Sequence, residues 1–165
     1  MSSIAFSPSL SSPAPVASRA VSRGRFALVG LGTVAAAVIA NLLVYALGSA
    51  VVGYDPGFVV LANASGTILF TVVPAIVAVL LYAVLMRFTS NPARIFTNIA
   101  VVVLILSLIP DLTYIPSVPG ASTGQTAILM LMHVVAASVI VWMLTTLTRT
   151  RPPERAAQHQ TPEVS

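Results

Sequence analysis

Four long apolar segments, separated by short stretches rich in Arg, Asp, Pro or Gly, dominate the chain. They cover about residues 26–48, 65–86, 92–109 and 125–148. The hydrocarbon core of a bilayer is roughly 30 Å thick, and about 20 apolar residues in an α-helix cross it at 1.5 Å per residue. The pattern therefore predicts an all-α membrane protein in which four transmembrane helices form a bundle.

Composition excludes an ordinary soluble domain. Hydrophobic residues make up 57% of the chain and charged residues 7%, whereas soluble domains carry about 25% charged residues. Residues 1–24 and 150–165 are polar or rich in Ser, Pro and Ala, so we predict disordered cytoplasmic tails around a membrane domain at 25–149. A signal peptide cleaved near 48–50 is the alternative for the first segment. That segment exceeds the usual hydrophobic region of about 7–15 residues, which favours a retained helix.

The arrangement of basic residues predicts the orientation of the helices. All eight are arginines, and they lie only in the two tails and the middle connection: Arg19, Arg23, Arg25, Arg87, Arg94, Arg149, Arg151 and Arg155. Four crossings bring these three segments to one side, and the positive-inside rule assigns that side to the cytoplasm. Both termini are therefore predicted to be cytoplasmic. The all-arginine, Ala/Val-rich composition indicates a GC-rich bacterial genome and hence a bacterial cytoplasmic membrane.

The two connections on the other side carry Asp55 and Asp111. They could bind a cation or a partner, but solvated loop aspartates are the commoner explanation. Within the helices, Gly32, Ala36 and Ala40 recur every four residues, a spacing that lets helices pack closely in lipid. This face suggests a homo-oligomer or a partner membrane protein. Pro74 should kink the second helix, either as a static bend or as a hinge.

A few polar side chains lie deep in the spans. Counting about 1.5 Å per residue from the cytoplasmic boundary places Asn41, Thr71, Ser107 and His133 in one layer, near 22 Å. Asn98 is a fifth polar side chain deep in a span, but it is not part of this layer. The layer either links helices by hydrogen bonds or forms a cavity in which His133 carries a proton or contacts a ligand. Asp111 counts as close to the outer surface, so His133 is expected to lack an acidic partner and to be neutral.

No pattern typical of catalysis or cofactor binding occurs. The chain has no cysteine, and we find no glycine-rich phosphate loop, paired intramembrane carboxylates, Ser/His/Asp set or metal-ligand cluster. We therefore expect no catalytic residue, cofactor, metal or nucleic-acid partner. The leading hypothesis is a non-enzymatic structural or interaction subunit in the lipid bilayer. The alternative is a small transporter or channel component with a polar cavity near Asn41 and His133.

Several short motifs carry a resemblance to a known family. They are Ala-Asn-Leu-Leu-Val-Tyr at 40–45, Pro74, Leu-Ser-Leu-Ile-Pro-Asp at 106–111, Ala-Ser-Thr-Gly at 121–124 and Leu-Met-His-Val-Val-Ala-Ala at 131–137. Together they resemble an actinobacterial family of small four-helix membrane proteins, domain of unknown function 6069. The resemblance covers about residues 26–147 and leaves out both tails. It implies the fold and a membrane location but no activity, and no functional residue follows from it.

Overall fold

A computed structural model describes residues 22–148 of the 165-residue chain. It consists of α1 (Arg23–Val52), α2 (Ala64–Phe88), α3 (Pro92–Thr113) and α4 (Thr123–Leu147), with a single 3-10 turn at Ile115–Ser117. Each of the four α-helices is long and apolar enough to cross a membrane. The predicted all-α, four-span architecture is confirmed. Most of the two predicted tails, with Arg19, Arg149, Arg151 and Arg155, lies outside the described residues.

Consecutive helices run antiparallel. The Arg25 guanidinium, at the start of α1, donates a hydrogen bond to the Leu147 carbonyl at the end of α4 (3.4 Å). At the opposite end, Val52 of α1 packs against Gly124 of α4. The arginines at 23, 25, 87 and 94 therefore lie at one end of the bundle, here called the arginine end. The connections at 53–63 and 114–122 form the other, here called the loop end.

The helices pack unequally around the bundle. Helix α1 packs extensively on α4 and α2, and α3 packs on α4, but α2 and α3 share only a short contact. Helix α3 buries only two side chains, Phe96 near the arginine end and Asp111 near the loop end. The α2–α3 side of the bundle is therefore loosely closed along its middle.

Two apolar clusters hold the bundle together at its ends. Towards the arginine end, Tyr82 and Phe96 meet edge to face with ring centroids 5.0 Å apart, a favoured aromatic geometry. Towards the loop end, Phe58 and Ile115 pack with Met132 from α4. These clusters join α3 to the rest of the bundle above and below its poorly packed middle.

Helix ends follow local signals only in part. The Ser122 hydroxyl accepts a hydrogen bond from the Gln125 amide (3.2 Å) and caps α4, as serine does at N-cap positions. The predicted end of α3 before Pro110 is wrong, because the helix continues to Thr113. An internal proline removes one backbone hydrogen bond, and a membrane helix continues where its surroundings supply other partners. Helix α1 is longer than predicted at both ends.

The small residues of α1 serve packing inside the bundle. Gly30 is buried, and a Cβ there would lie 2.8 Å from Val79 Cγ1 of α2. Gly32, Ala36 and Ala40 are all half-buried, and Gly32 lies opposite Met143 of α4. Gly30 is therefore a point of close approach between α1 and α2, and the predicted four-residue spacing does not include it.

The orientation across the membrane stays a prediction, which cysteine labelling can test. Ser90 and Ser117 are exposed at opposite ends of the bundle, and the protein has no cysteine of its own. In intact cells, Ser117→Cys should react with an impermeant maleimide. Ser90→Cys should react only after permeabilisation. The parent protein is the control because it has no thiol to label. Labelling of both variants from the same side would contradict the arrangement.

Candidate functional site

A cavity of about 790 Å³ lies between the middles of α2, α3 and α4. Its volume falls within the roughly 300–1,000 Å³ typical of ligand pockets. On α3 its walls extend from Phe96 to Asp111, about 22 Å at 1.5 Å per residue. Between these two residues α3 buries no side chain, and its contact with α2 is short.

The cavity is polar at one end and apolar along the rest. Near the arginine end its walls are the side chains of Ala78, Leu81, Phe96, Ile140 and Val141. Towards the loop end, the polar side chains of the wall are Asn41, Thr67, Thr71, Ser107, Asp111 and His133. The shape therefore suits a molecule with a long apolar body and a polar head.

The four residues of the predicted polar layer all line this cavity, but they do not join in one network. Asn41 bonds to Thr71, His133 meets Asp111, and Ser107 donates to the Leu104 carbonyl of its own helix (2.7 Å). Asn98 is exposed and lies outside the wall. The site thus contains two interhelical pairs and one hydroxyl that is satisfied locally.

The first pair links α1 to α2. Asn41 Nδ2 donates to Thr71 Oγ1 (2.9 Å), and the Thr71 hydroxyl donates to the Thr67 carbonyl (2.7 Å). Pro74 has no backbone N–H, so the Phe70 carbonyl lacks its usual helical hydrogen bond. The Thr71 hydroxyl does not replace that bond, because it donates to Thr67 instead. Two buried atoms beside the pair, Asn41 Oδ1 and Thr67 Oγ1, have no hydrogen-bond partner among the described residues. The cavity wall consequently has spare hydrogen-bonding capacity here.

The Asn41–Thr71 bond can be measured by a double-mutant cycle. Asn41→Ala and Thr71→Ala should couple by about 0.6 kcal/mol in unfolding free energy, the average for hydrogen bonds between membrane helices. Thr97→Ala is the control, because the Thr97 hydroxyl donates only to the Ala93 carbonyl within α3. Asn41→Ala and Thr97→Ala should be additive. If the coupling of Asn41 with Thr71 is no larger than its coupling with Thr97, the Asn41–Thr71 hydrogen bond is refuted.

The second pair links α3 to α4. Asp111 Oδ2 lies 3.2 Å from His133 Nδ1, and Asp111 is only 3% exposed. The expectations that His133 lacks an acidic partner and that Asp111 is a solvated loop residue are both wrong. Side chains of a helix point towards its N-terminus. In antiparallel helices, the two side chains therefore lean towards each other and close a gap in depth of several ångströms.

The imidazole of His133 has one nitrogen engaged and one available. Its Nδ1 is 3.0 Å from the Leu129 carbonyl, and because a carbonyl only accepts, this contact places a proton on Nδ1. That proton points to Leu129, so Asp111 Oδ2 receives no well-directed hydrogen bond from any described residue. No described group bonds to Nε2. The pair is thus an electrostatic contact with free capacity on both partners.

Asp111 also lines a second cavity, of about 340 Å³, at the loop end. Ser122, Thr126 and Met130 of α4 and its N-terminal flank form part of the wall, and Pro116 covers it from the connection. The carboxyl group therefore stands between the long cavity and a smaller one near the end of the bundle. This position makes Asp111 reachable from two directions.

The connection between α1 and α2 covers the loop end. The Tyr54 hydroxyl donates to the Tyr45 carbonyl (2.8 Å), and the Tyr45 hydroxyl donates to the Leu61 carbonyl (3.2 Å). Burial, with a smaller contribution from Tyr45, raises the pKa of the Tyr54 phenol, so it remains a donor at neutral pH. Asp55 is exposed, and its Oδ1 accepts from the Gly57 amide (2.7 Å). Unlike Asp111, Asp55 is a loop aspartate.

The described residues contain no group of three or more His, Asp or Glu side chains that could hold a metal ion. Asp111 and His133 alone supply two ligands, fewer than the three protein ligands typical of catalytic zinc sites. These two side chains themselves offer hydrogen bonding, charge and proton exchange. Sequence reasoning identified His133 and Asn41 as cavity residues but missed Asp111 and Thr67.

Comparison with known proteins places the chain in a family without assigning an activity. Neither a curated protein nor a solved structure matches it. A family of unknown function (DUF6069) matches residues 21–150, a range that contains all four helices and both polar pairs. Membership agrees with the resemblance found in the motifs, and the chain belongs to this family of unknown function.

Proposed function

We propose that this protein is a transport or binding component that takes a lipophilic small molecule from the bilayer into the cavity between α2, α3 and α4. The observation that carries the proposal is the cavity itself, which combines a ligand-sized volume with a long apolar wall and a polar end. Small-molecule sites typically have this composition, with a few placed polar groups in an apolar surround.

The cavity has a route to the membrane. Phe70, Val73 and Val77 of α2 and Val103 of α3 line it, yet each is more than half exposed on the outside of the bundle. The cavity wall and the lipid-facing surface are thus continuous between α2 and α3. A lipophilic molecule could enter sideways from the bilayer without opening the bundle.

The cavity favours the transporter alternative over the structural-subunit hypothesis. Assembly through the small-residue face of α1 would need that face to be free. Gly32, Ala36 and Ala40 are instead half-buried, and Gly32 packs against Met143 of α4. Part of this face is therefore already covered within one chain, by α4 at Gly32.

The proposed location is a bacterial cytoplasmic membrane with the arginine end in the cytoplasm. Arg23, Arg25, Arg87 and Arg94 support this orientation, because arginines concentrate in cytoplasmic segments. The polar end of the cavity then lies in the outer half of the membrane, and the 340 Å³ cavity lies towards the outer surface. A bound molecule would be held nearer to the outside than to the cytoplasm.

Photolabelling in lipid nanodiscs tests whether the cavity binds a lipophilic molecule. The probe is a dodecanol analogue with a diazirine in its alkyl chain, and peptide mass spectrometry locates the labelled residues. We expect labelling of cavity-lining residues that excess dodecanol abolishes. Ala137→Phe, which fills the cavity from α4, should reduce this displaceable labelling at least tenfold.

The control is Ala35→Phe, which adds the same side chain to the lipid-exposed side of α1. It should label as the parent protein does. A second cavity-filling variant, Ala100→Phe on α3, guards against misfolding of the first. Labelling that excess dodecanol does not displace, or that both cavity-filling variants leave unchanged, would overturn the proposal.

A further inference from the structure

The polar end of the cavity offers hydrogen-bond acceptors without matching donors. Asn41 Oδ1, Thr67 Oγ1 and Asp111 Oδ2 are buried and have no partner among the described residues. Asn41 Oδ1 can only accept, and Asp111 Oδ2 can only accept when the carboxyl group is ionised, whereas the Thr67 hydroxyl can both accept and donate. Buried polar atoms left unpaired are costly, so a ligand that supplies donors gains by reaching all three. A head group with several N–H donors fits this end best.

Charge at the same place points to a cation. Among the residues that the structure describes, no Arg lines the cavity, and His133 is the only lining side chain able to carry a positive charge. Asp111 is 3% exposed, whereas the His133 side chain is 37% exposed. The carboxyl group is therefore the better enclosed of the two, and a positive group entering along the apolar wall would find the acid without crossing a basic residue.

We infer that the cavity takes amphiphiles with a protonated amine head, which Asp111 binds in exchange for a proton that the Asp111–His133 pair gives up. The inference rests on the proposed function, since it names the chemical class that the cavity accepts. The amine head would occupy the polar end beside Asn41 and Thr67, and its alkyl chain would follow the wall towards Phe96.

The exchange keeps the charge of the site constant. Without ligand, the Asp111–His133 pair holds one proton and is neutral overall. When an ammonium group contacts Asp111, the pair releases that proton to water, so the carboxylate, neutral imidazole and ammonium again sum to zero. The bond that breaks is the N–H bond of the imidazolium or the O–H bond of the carboxylic acid, and the bond that forms is an O–H bond to the water that carries the proton away. A neutral total is favoured because an isolated charge inside a membrane is costly.

The other titratable groups near the pair are already engaged. The Tyr45 hydroxyl of α1 and the Tyr54 hydroxyl of the first connection donate to backbone carbonyls, and Asp55 binds the Gly57 amide. Helix α2 contributes only the hydroxyls of Thr67 and Thr71 to this end. The described arginines lie at the arginine end. Proton exchange is therefore confined to Asp111 and His133.

The proton has a path to the loop end. Asp111 lines both the long cavity and the 340 Å³ cavity, where the hydroxyl-bearing residues Ser122 and Thr126 lie. The amine can therefore arrive from the membrane side while the proton departs on the other. The two species need not pass each other in one channel.

Competition photolabelling tests the inference with two probes that differ only in the head group. Diazirine analogues of dodecylammonium and dodecanol are displaced by their unlabelled parents from the protein in nanodiscs. We expect the ammonium to bind at least tenfold more tightly than the alcohol. Asp111→Asn, which keeps the shape and removes the charge, should abolish this preference. In weakly buffered solution, about one proton should be released per amine bound, and affinity should rise by up to tenfold per pH unit while the pair holds its proton.

Two further variants separate the roles. Thr97→Ala is the control, because Thr97 lies outside the cavity wall and its hydroxyl is bonded only within its own helix, so preference and pH dependence should remain. The His133→Asn side chain cannot take up a proton, so this variant should show a shifted pH dependence of binding and an unchanged preference for the amine. It also keeps the inference testable if Asp111→Asn does not fold. Equal binding of alcohol and ammonium, or an unchanged pH dependence in His133→Asn, would overturn the inference and leave the proposed function standing. Absence of displaceable labelling by either probe would overturn both.

Discussion

His133→Ala is expected to lower the free energy of unfolding by about 3 kcal/mol, the lower end of the cost of breaking a buried charge pair. The lower end applies because the His133 side chain is 37% exposed. Removing the imidazole leaves Asp111, at 3% exposure, without an electrostatic partner among the described residues. Reversible unfolding in mixed detergent micelles, followed by circular dichroism, would measure the loss.

The control for this prediction removes both partners together. Asp111→Leu combined with His133→Leu should be close to the parent in stability or above it, because replacing a buried pair with apolar side chains is often neutral or stabilising. Val134→Ala, a truncation of the neighbouring, exposed residue, should cost under about 1 kcal/mol. If His133→Ala unfolds like the parent protein, the 3.2 Å contact between His133 Nδ1 and Asp111 Oδ2 does not contribute to stability.

Gly120→Ala should cost about 2–5 kcal/mol through two separate effects. Gly120 has φ +77°, which is strained for a residue with a side chain. A Cβ there would also lie 2.8 Å from the Phe58 backbone nitrogen and 3.0 Å from the Gly57 carbonyl carbon, and such overpacking costs about 1–3 kcal/mol. Backbone atoms cannot move aside as side-chain ends can, so the two connections at the loop end would separate.

Gly53→Ala is the matched control for this loop contact. Gly53 has φ +67° but no atom within 4 Å of the position that a Cβ would take. It should therefore show only the backbone term, about 1–2 kcal/mol. Unfolding of the two variants in the same detergent mixture gives the difference. Equal losses would mean that the contact between the two connections adds nothing to stability.

The spans and their antiparallel order follow from local features of the chain. A run of apolar residues crosses lipid as a helix because the helix satisfies its own backbone hydrogen bonds. The Ser122 cap acts within its own turn, so it too is readable from neighbouring residues. The predicted end of α3 before Pro110 was wrong because the effect of a proline on a helix is not purely local. Whether a helix ends at a proline depends on how the next turn packs, and here Asp111 is buried against α4.

The site was only half predictable. Depth counting brings Asn41, Thr71 and His133 to one level because it measures Cα height along each helix. It ignores the direction of the side chains. That direction brings Asp111 of α3 into contact with His133 of α4 across antiparallel helices. Thr67 carries no signal at all in sequence, since a threonine in a membrane helix most often bonds within its own turn.

The sequence by itself determined that four helices enter a membrane, because hydropathy belongs to each segment and lipid satisfies an apolar helix at any rotation about its axis. Tertiary structure decided which polar groups meet and where space remains. The placement of α3 puts Asp111 beside His133 and leaves a cavity of about 790 Å³ against α2. That placement depends on side-chain packing among all four helices, which no single segment encodes.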